Sequence, residues 1–349
     1  MQFERRSHIP LYLVLCAPVA AVLASLVLSS ALIGLTGTNP LVAYRNIAIY
    51  AGGSRLALTE TLTRATPLIL CGLSVAAAFR ARLWNIGVEG QFYAGALAAV
   101  AIGSQPGLTL PPVFVIPIVC LIAAAAGFLV LAVPLALRLR FGVDEVVTTL
   151  LLNFIVILFV SAMVNGPLKD PLAFGWPQSV PVTQAAMLPK LVARSPLHIG
   201  FTVALGLALL LSVVERYTVF GLESRAAGFN PAAAAFAGVP IPIVLFKVAA
   251  ISGGLAGLAG AIEVMGGQGY LTTDLSPGYG YTGIVVAMLA GLHPLGVVIA
   301  ALFVAATYIG ADGMSRALNV SSYIADVIVA LSLLTMLMAM FLVSYRVRR

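Results

Sequence analysis

Apolar stretches of about 20 residues, the length a helix needs to cross a bilayer, recur from end to end of this sequence. In lipid, every backbone N–H and C=O has to find its partner inside the protein, so such stretches fold as helices or as closed barrels. A barrel would need repeated alternation of apolar and polar residues, and no long alternation occurs. The expected fold class is all-α: a polytopic transmembrane helical bundle forming a single domain over residues 1–349. Charge agrees, because only 9% of residues are charged where a soluble domain carries about a quarter. Membrane lipid is therefore the first partner of the chain.

About ten spans are expected, at 11–34, 57–79, 84–103, 113–137, 146–165, 197–214, 243–264, 281–292, 295–310 and 323–343. The pair split by His293-Pro294 falls short of about 20 residues, and read as one broken span it would move the C-terminus to the other side. Charge decides for ten. Of the 19 Lys and Arg, twelve then lie in segments on the side of the termini and six on the other, with Arg64 inside a span. Basic excess marks the cytoplasmic side, so both termini are expected there. The first apolar run, from Leu11 to about Leu35, exceeds the ~7–15 residues of a signal-peptide core and reads as an uncleaved span. The net charge of +7 is explained by these topology signals, and no nucleic-acid partner is expected. Cys16, Cys71 and Cys120 sit in apolar runs without metal-ligand spacing; they read as buried small residues, and no metal site is expected.

Between the sixth and seventh spans, Glu215 to Pro242 forms the longest connection on the terminal side. Asn230 suits a helix N-cap and Pro231 the first helical position. Ala232 to Ala237 favours helix, Gly238 suits a left-handed C-terminal residue, and Pro240 prevents continuation. A helix of about two turns is unstable alone and has to dock. It either connects spans along the interface or sits in the cleft of a partner. In the second case Ala232 to Ala235 offer a smooth face, Phe236 an anchor, and Glu223 and Arg225 a pairing across the contact. The opposite side carries a Pro-rich segment, 166–196, expected to form a turn-rich cap.

This segment, GLESRAAGFNPAAAAFAGV at Gly221–Val239, resembles the G-x-x-x-R-A-x-G-x-N-P-x-A-A-x-x-A-G-I loop of ABC-transporter inner-membrane permeases for nucleosides and simple sugars. WNIGVEGQFYAGA (Trp84–Ala96) is similar to the N-I-G-x-E-G-Q segment of the same family. FGVDEVVTTLLLNF (Phe141–Phe154), SGGLAGLAGAIEVMG (Ser252–Gly266) and SPGYGYTGIVVAMLAGLHPLG (Ser276–Gly296) extend the likeness over most of the chain. Trp84 stands where Phe is common, and Met288-Leu289-Ala290-Gly291 where Leu-Leu-Gly is frequent. The resemblance implies a multi-pass protein of the bacterial inner membrane that imports a small polar solute by alternating access. It implies three protein partners: a cytoplasmic ABC ATPase holding ATP and Mg, a second permease subunit of a related sequence, and an extracytoplasmic solute-binding protein. It assigns ATPase coupling to Glu223, Arg225, Gly228, Asn230, Pro231, Ala234, Phe236 and Gly238. No G-x-x-x-x-G-K-[ST] occurs in the chain, so no cofactor is expected on it and ATP phosphates have to be cradled elsewhere.

Ionisable and amide side chains inside spans face the bundle interior or water. Asn85, Glu89 and Gln91 lie among glycines that weaken a helix. They either line a substrate pathway with Asn153, Gln268 and Tyr279, or cap backbone and tie helices together. Gly253, Gly257 and Ala261, spaced by four, mark a close-packing stripe, and Glu263 beside it reads as structural. Tyr270, Tyr279 and Tyr281 either stack on a solute ring or anchor the interface. A competing class, an ion- or proton-coupled carrier working alone, would use Glu89, Glu263 and Asp326. A membrane enzyme is disfavoured, since no nucleophile–base set or His/Cys cluster is apparent.

Overall fold

The computed structural model describes residues 2–5, 11–105, 110–318 and 321–348. Two four-residue strands, β1 (Gln2–Arg5) and β2 (Tyr345–Arg348), pair antiparallel and bring the two ends of the chain together. Arg6 and Arg349, part of the expected basic flanks, lie outside the described residues. The rest is helical: α1 (Leu11–Leu35), α2 (Pro40–Gly52), α3 (Arg55–Arg80), α4 (Val88–Gly103), α5 (Pro112–Phe141), α6 (Glu145–Asn165), α7 (Gly200–Tyr217), α8 (Val219–Phe229), α9 (Pro231–Phe236), α10 (Ile241–Gly266), α11 (Tyr279–Leu289), α12 (Pro294–Leu318) and α13 (Ile324–Ser344).

Eight of these helices, α1, α3, α5, α6, α7, α10, α12 and α13, are long and apolar enough to cross a membrane. The protein is thus a multi-pass helical bundle. Two expected spans are shorter than drawn. The span expected at 84–103 begins as helix only at Val88, and α11 has just 11 residues. At about 1.5 Å per residue neither reaches across the ~30 Å of hydrocarbon. Conversely, α12 runs to Leu318, beyond the expected end at 310.

Caps set many of these limits. Asn39 accepts a hydrogen bond from the Leu41 N–H, Ser54 from Ala57, Asp144 from Val146, Thr218 from Gly221 and Asn230 from Ala233. The Asn-Pro pair at 39–40 starts α2 within a segment that had looked like plain connection. Gly142, at φ 67°, ends α5 in the left-handed region, which costs glycine nothing.

α3 and α10 form the centre, and their packing depends on missing side chains. A Cβ on Gly257 would collide with the Ala123 carbonyl of α5, and one on Gly260 with the Phe92 carbonyl of α4. Gly253 meets Gly127 of α5 in the same way. In lipid, where no hydrophobic force drives helix pairing, such close backbone approach supplies the attraction. α2 lies on the far half of α12, with Ile47 and Tyr50 occupying the space over Gly310 and Gly313. α1 and α13 pack against each other, Thr335 donating to the Ala21 carbonyl at 2.7 Å. Of the cysteines only Cys71 is core; Cys120 is half-buried and Cys16 stands on the exposed face of α1. This corrects the expectation that all three are buried: α1 turns most of its apolar surface outward.

The segment 166–199 caps the end of the bundle opposite the termini. Its one helical piece is a single 3-10 turn at Gln184–Ala186, and isolated bridges join Lys169 to Ser179 and Gln178 to Thr272.

Gly257→Leu is expected to destabilise the bundle by about 1–3 kcal/mol, the usual cost of overpacking. Gly254→Ala, whose new Cβ would meet only Ala124 at 3.8 Å, is expected to stay within about 0.5 kcal/mol of the parent. Thermal unfolding of the purified proteins in one detergent compares the two.

Candidate functional site

After α3 the chain turns at Arg82, whose φ is 52°, and runs as an irregular stretch until α4 starts. Irregular backbone inside a bundle leaves N–H and C=O groups that have to be satisfied. One face of α6 satisfies them. Glu145 accepts from the Trp84 N–H at 3.4 Å. Thr149 accepts from the Ile86 N–H at 3.3 Å. Asn153 accepts from the Gly90 N–H at 2.7 Å and donates to the Ile86 carbonyl at 2.9 Å. Residues four apart share a helix face, so these three form a polar stripe on one face of α6. All three are buried. Gly90 is required because a Cβ there would press on Asn153.

The amides of Asn85 and Gln91 dovetail. Asn85 Nδ2 donates to Gln91 Oε1 at 2.9 Å, and Gln91 Nε2 donates to Asn85 Oδ1 at 2.8 Å. Asn85 also donates to Ser252 of α10 at 3.0 Å and accepts from the Gly87 N–H. Ser252 in turn shares a hydrogen bond with Ser74 of α3. Asn85 and Gln91 thus bind one another, Asn153 binds the backbone of the same stretch, and all three are buried.

A second interruption repeats the device. The chain leaving α10 passes under the cap, and α4 holds it on the way back. Tyr93 donates to the Thr273 carbonyl at 2.6 Å and accepts from the Ser276 N–H at 3.1 Å. Glu89, one turn earlier, accepts from the Gly280 N–H at 2.6 Å. Its carboxylate therefore lies in the first turn of α4 and against the first turn of α11, both of which favour negative charge. Ser276 completes the cap by accepting from Tyr279 and Gly278. Of the other pathway candidates, Tyr279 packs on Phe92, ring centroids 5.9 Å apart. Gln268 does not join the cluster: it is exposed beyond the end of α10.

The cap sits on the same region. Lys190 Nζ donates to the Gly266 carbonyl at 2.6 Å. His198 is buried against Gly266 and Gly200, and its Nδ1 accepts from the Gly200 N–H. Burial, reinforced by the Lys190 charge, pushes its pKa down to about 4, so the imidazole is neutral with its proton on Nε2.

At the terminal end the segment 215–242 holds two helices where one was expected. Gly228 of α8 lies against the Arg80 carbonyl at the end of α3, and Gly221 against Glu215. Arg80 and Glu215 form an ion pair, and Arg138 pairs with Glu145 at 2.7 Å. α9 has the expected ends: Asn230 caps it at 3.1 Å, Pro231 occupies its first position, and Gly238 follows at φ 89°. Ala234 is turned into its own chain rather than into the smooth outward face it was expected to share with its neighbours. Facing out instead are Phe236, 96% exposed, and Phe229, 79% exposed. Arg225 is also exposed, its Nε donating to the Gly221 carbonyl, and Glu223 is half-covered. Among the described residues no group of His, Cys, Asp and Glu is arranged to hold a metal.

Sequence comparison adds to this geometry. The profile described as branched-chain amino acid transport system / permease component matches residues 57–344. The glucose ABC transporter permease protein TsgB13 of Haloferax volcanii is 33% identical, over 99% of this chain and 93% of its own length. The guanosine ABC transporter permease protein NupP of Bacillus subtilis is 33% identical, over 95% and 93%. The nucleoside ABC transporter permease protein NupB of Lactococcus lactis is 30% identical, over 86% and 84%.

Replacing Asn153 with Leu is expected to cost about 1–3 kcal/mol, the penalty for a buried N–H left unpaired. Thr149→Val, which removes one long tie to the stretch at 3.3 Å together with bonds to carbonyls of its own helix, is expected to cost less than half as much. Thermal unfolding in detergent measures the difference, and equal losses would contradict the role given to Asn153.

Proposed function

The chain belongs to the ABC-importer permeases that this profile describes, and from that premise we propose how its parts share the work of import. The permease subunit carries the solute across the membrane, while a separate cytoplasmic ABC ATPase binds ATP and Mg and supplies the energy. The ATPase docks on α8 and α9. The observation that carries this reading is the pair of exposed aromatics, Phe229 and Phe236, on short helices braced against the ends of α3 and α7. Large apolar side chains grouped on one exposed connection mark an interaction surface. Force applied at α8 reaches α3 through Gly228 and α7 through Gly221 without a flexible joint.

The remaining partners in this reading are a second permease subunit and an extracytoplasmic solute-binding protein that delivers to the capped end. Both termini then lie in the cytoplasm, the protein resides in the inner membrane, and α4 and α11 with their extended approaches complete ten crossings. The solute is an uncharged ring compound, a nucleoside or a simple sugar. Relatives named for guanosine, nucleosides and glucose support that class. A solitary ion-coupled carrier is disfavoured, because these relatives are ABC permeases.

Vesicles holding the complete importer are expected to take up labelled guanosine or glucose only when ATP and the ATPase are present. Phe236→Asp is expected to lower recovery of the ATPase with the tagged permease by about ten-fold or more, the scale of losing a buried aromatic anchor, without lowering the amount of permease in the membrane. Undiminished recovery would remove α9 from the docking surface.

A further inference from the structure

The buried polar groups described so far are engaged by their own chain, but in a cluster around α3 one buried polar atom is not. Arg64 lies on α3, and its Nε is buried with no hydrogen-bond partner among the described residues. Its guanidinium stands between two aromatic rings, 5.5 Å from the centroid of Tyr279 and 5.7 Å from that of Tyr308. Glu263, on α10, is near enough for the Arg64 charge to act on it. Yet among the described residues the two form no ion pair within the 4.0 Å that defines one. Thr282 and Asp326 flank the Tyr308 hydroxyl. Arg64, Glu263, Thr282 and Tyr308 all keep part of their surface uncovered.

A guanidinium and a carboxylate in one apolar bundle ordinarily close into a direct, often bidentate, pair. Here stacking on the tyrosines holds the cation while its Nε stays without a partner, and Glu263 on α10 offers an acceptor. An uncharged ring carrying hydroxyls fits that set. A hydroxyl donates to Glu263 and accepts from Arg64, while a ring face packs on Tyr308. Arg64 and Glu263 offset one another, and Asp326 beside Tyr308 and Glu89 near Tyr279 add carboxylates, a setting that disfavours an anionic solute. Phe92 backs Tyr279 from behind. Tyr279 is the first residue of α11, whose start Glu89 fixes through Gly280, so one wall of the cluster is tied to the interrupted crossings.

We infer that Arg64, Glu263 and Tyr308, with Tyr279 holding the guanidinium in place, form a solute-contact site where α3, α10, α11 and α12 converge, taking an uncharged, hydroxyl-bearing ring. The inference rests on the permease reading and adds the residues that touch the solute. The test is direct binding of guanosine and of glucose to the purified permease–ATPase complex, without the solute-binding protein, followed by saturation-transfer NMR. Guanosine 5′-monophosphate serves as the charged control. Uptake of the same compounds by vesicles of the complete importer is measured in parallel. One uncharged probe is expected to bind the parent complex, and Glu263→Gln and Arg64→Gln each to weaken that binding about ten-fold, the scale of one lost charged hydrogen bond. Arg64→Lys is expected to recover part of the loss and the monophosphate to bind more weakly than guanosine. Glu263→Gln is nearly isosteric and decides alone if Arg64→Gln does not assemble with the ATPase. Unchanged affinity in assembled variants, or a probe that is carried in uptake yet does not bind the complex, overturns the site and leaves the permease reading standing. Probes neither bound nor carried overturn both.

Discussion

The structure depends on how a lipid-surrounded bundle satisfies backbone that is not helical. Two helices, α4 and α11, start after irregular stretches at 81–87 and 267–278, and each stretch holds peptide groups that need partners inside the bundle. The α6 stripe of Glu145, Thr149 and Asn153 answers for the first. The first two turns of α4, through Glu89 and Tyr93, answer for the second. The two repairs are connected in series: α6 fixes the stretch from which α4 starts, and α4 fixes the stretch from which α11 starts. A polar residue lost from this chain of contacts would loosen everything beyond it.

Close helix packing and these polar ties serve different ends. The glycines of α10 let α4 and α5 approach so closely that dispersion holds the centre together. That contact is rigid, since interiors at native density transmit displacement rather than absorb it. The ion pairs, Arg80 with Glu215 and Arg138 with Glu145, sit at the terminal end, where α8 and α9 are attached. A push on that end is thus delivered to α3 and α7. In the proposed import cycle the interrupted crossings lie at the other end of this linkage.

Much of the plan was legible in the sequence, and the rest was hidden for identifiable reasons. Apolar length revealed the long helices, because bilayer thickness sets that length. The Asn-Pro start and Gly end of α9 were read correctly, since each residue has one conformational use there. The same Asn-Pro signal at 39–40 passed unnoticed because it stood in a segment treated as connection. α8 was missed because its helix is held by Gly221 and Gly228 against other elements, contacts that propensity does not report. For Asn85, Glu89, Gln91 and Asn153 the residues suggested either a solute path or a structural tie, and each makes hydrogen bonds within the chain. The polar stripe at 145, 149 and 153 was visible as spacing four in an apolar helix, and only Asn153 had been noticed. Arg64 and Tyr308 could not be joined from sequence, since α3 and α12 meet only in three dimensions.

The most direct test of the central claim is the side and the surroundings of Phe236. With a single cysteine placed there by Phe236→Cys in a background lacking Cys16, Cys71 and Cys120, labelling by a membrane-impermeant maleimide can be followed in intact cells and in inverted vesicles. The account predicts no labelling in intact cells, labelling in inverted vesicles, and protection when the ATPase is bound. Labelling from outside intact cells, or labelling indifferent to the ATPase, would contradict it.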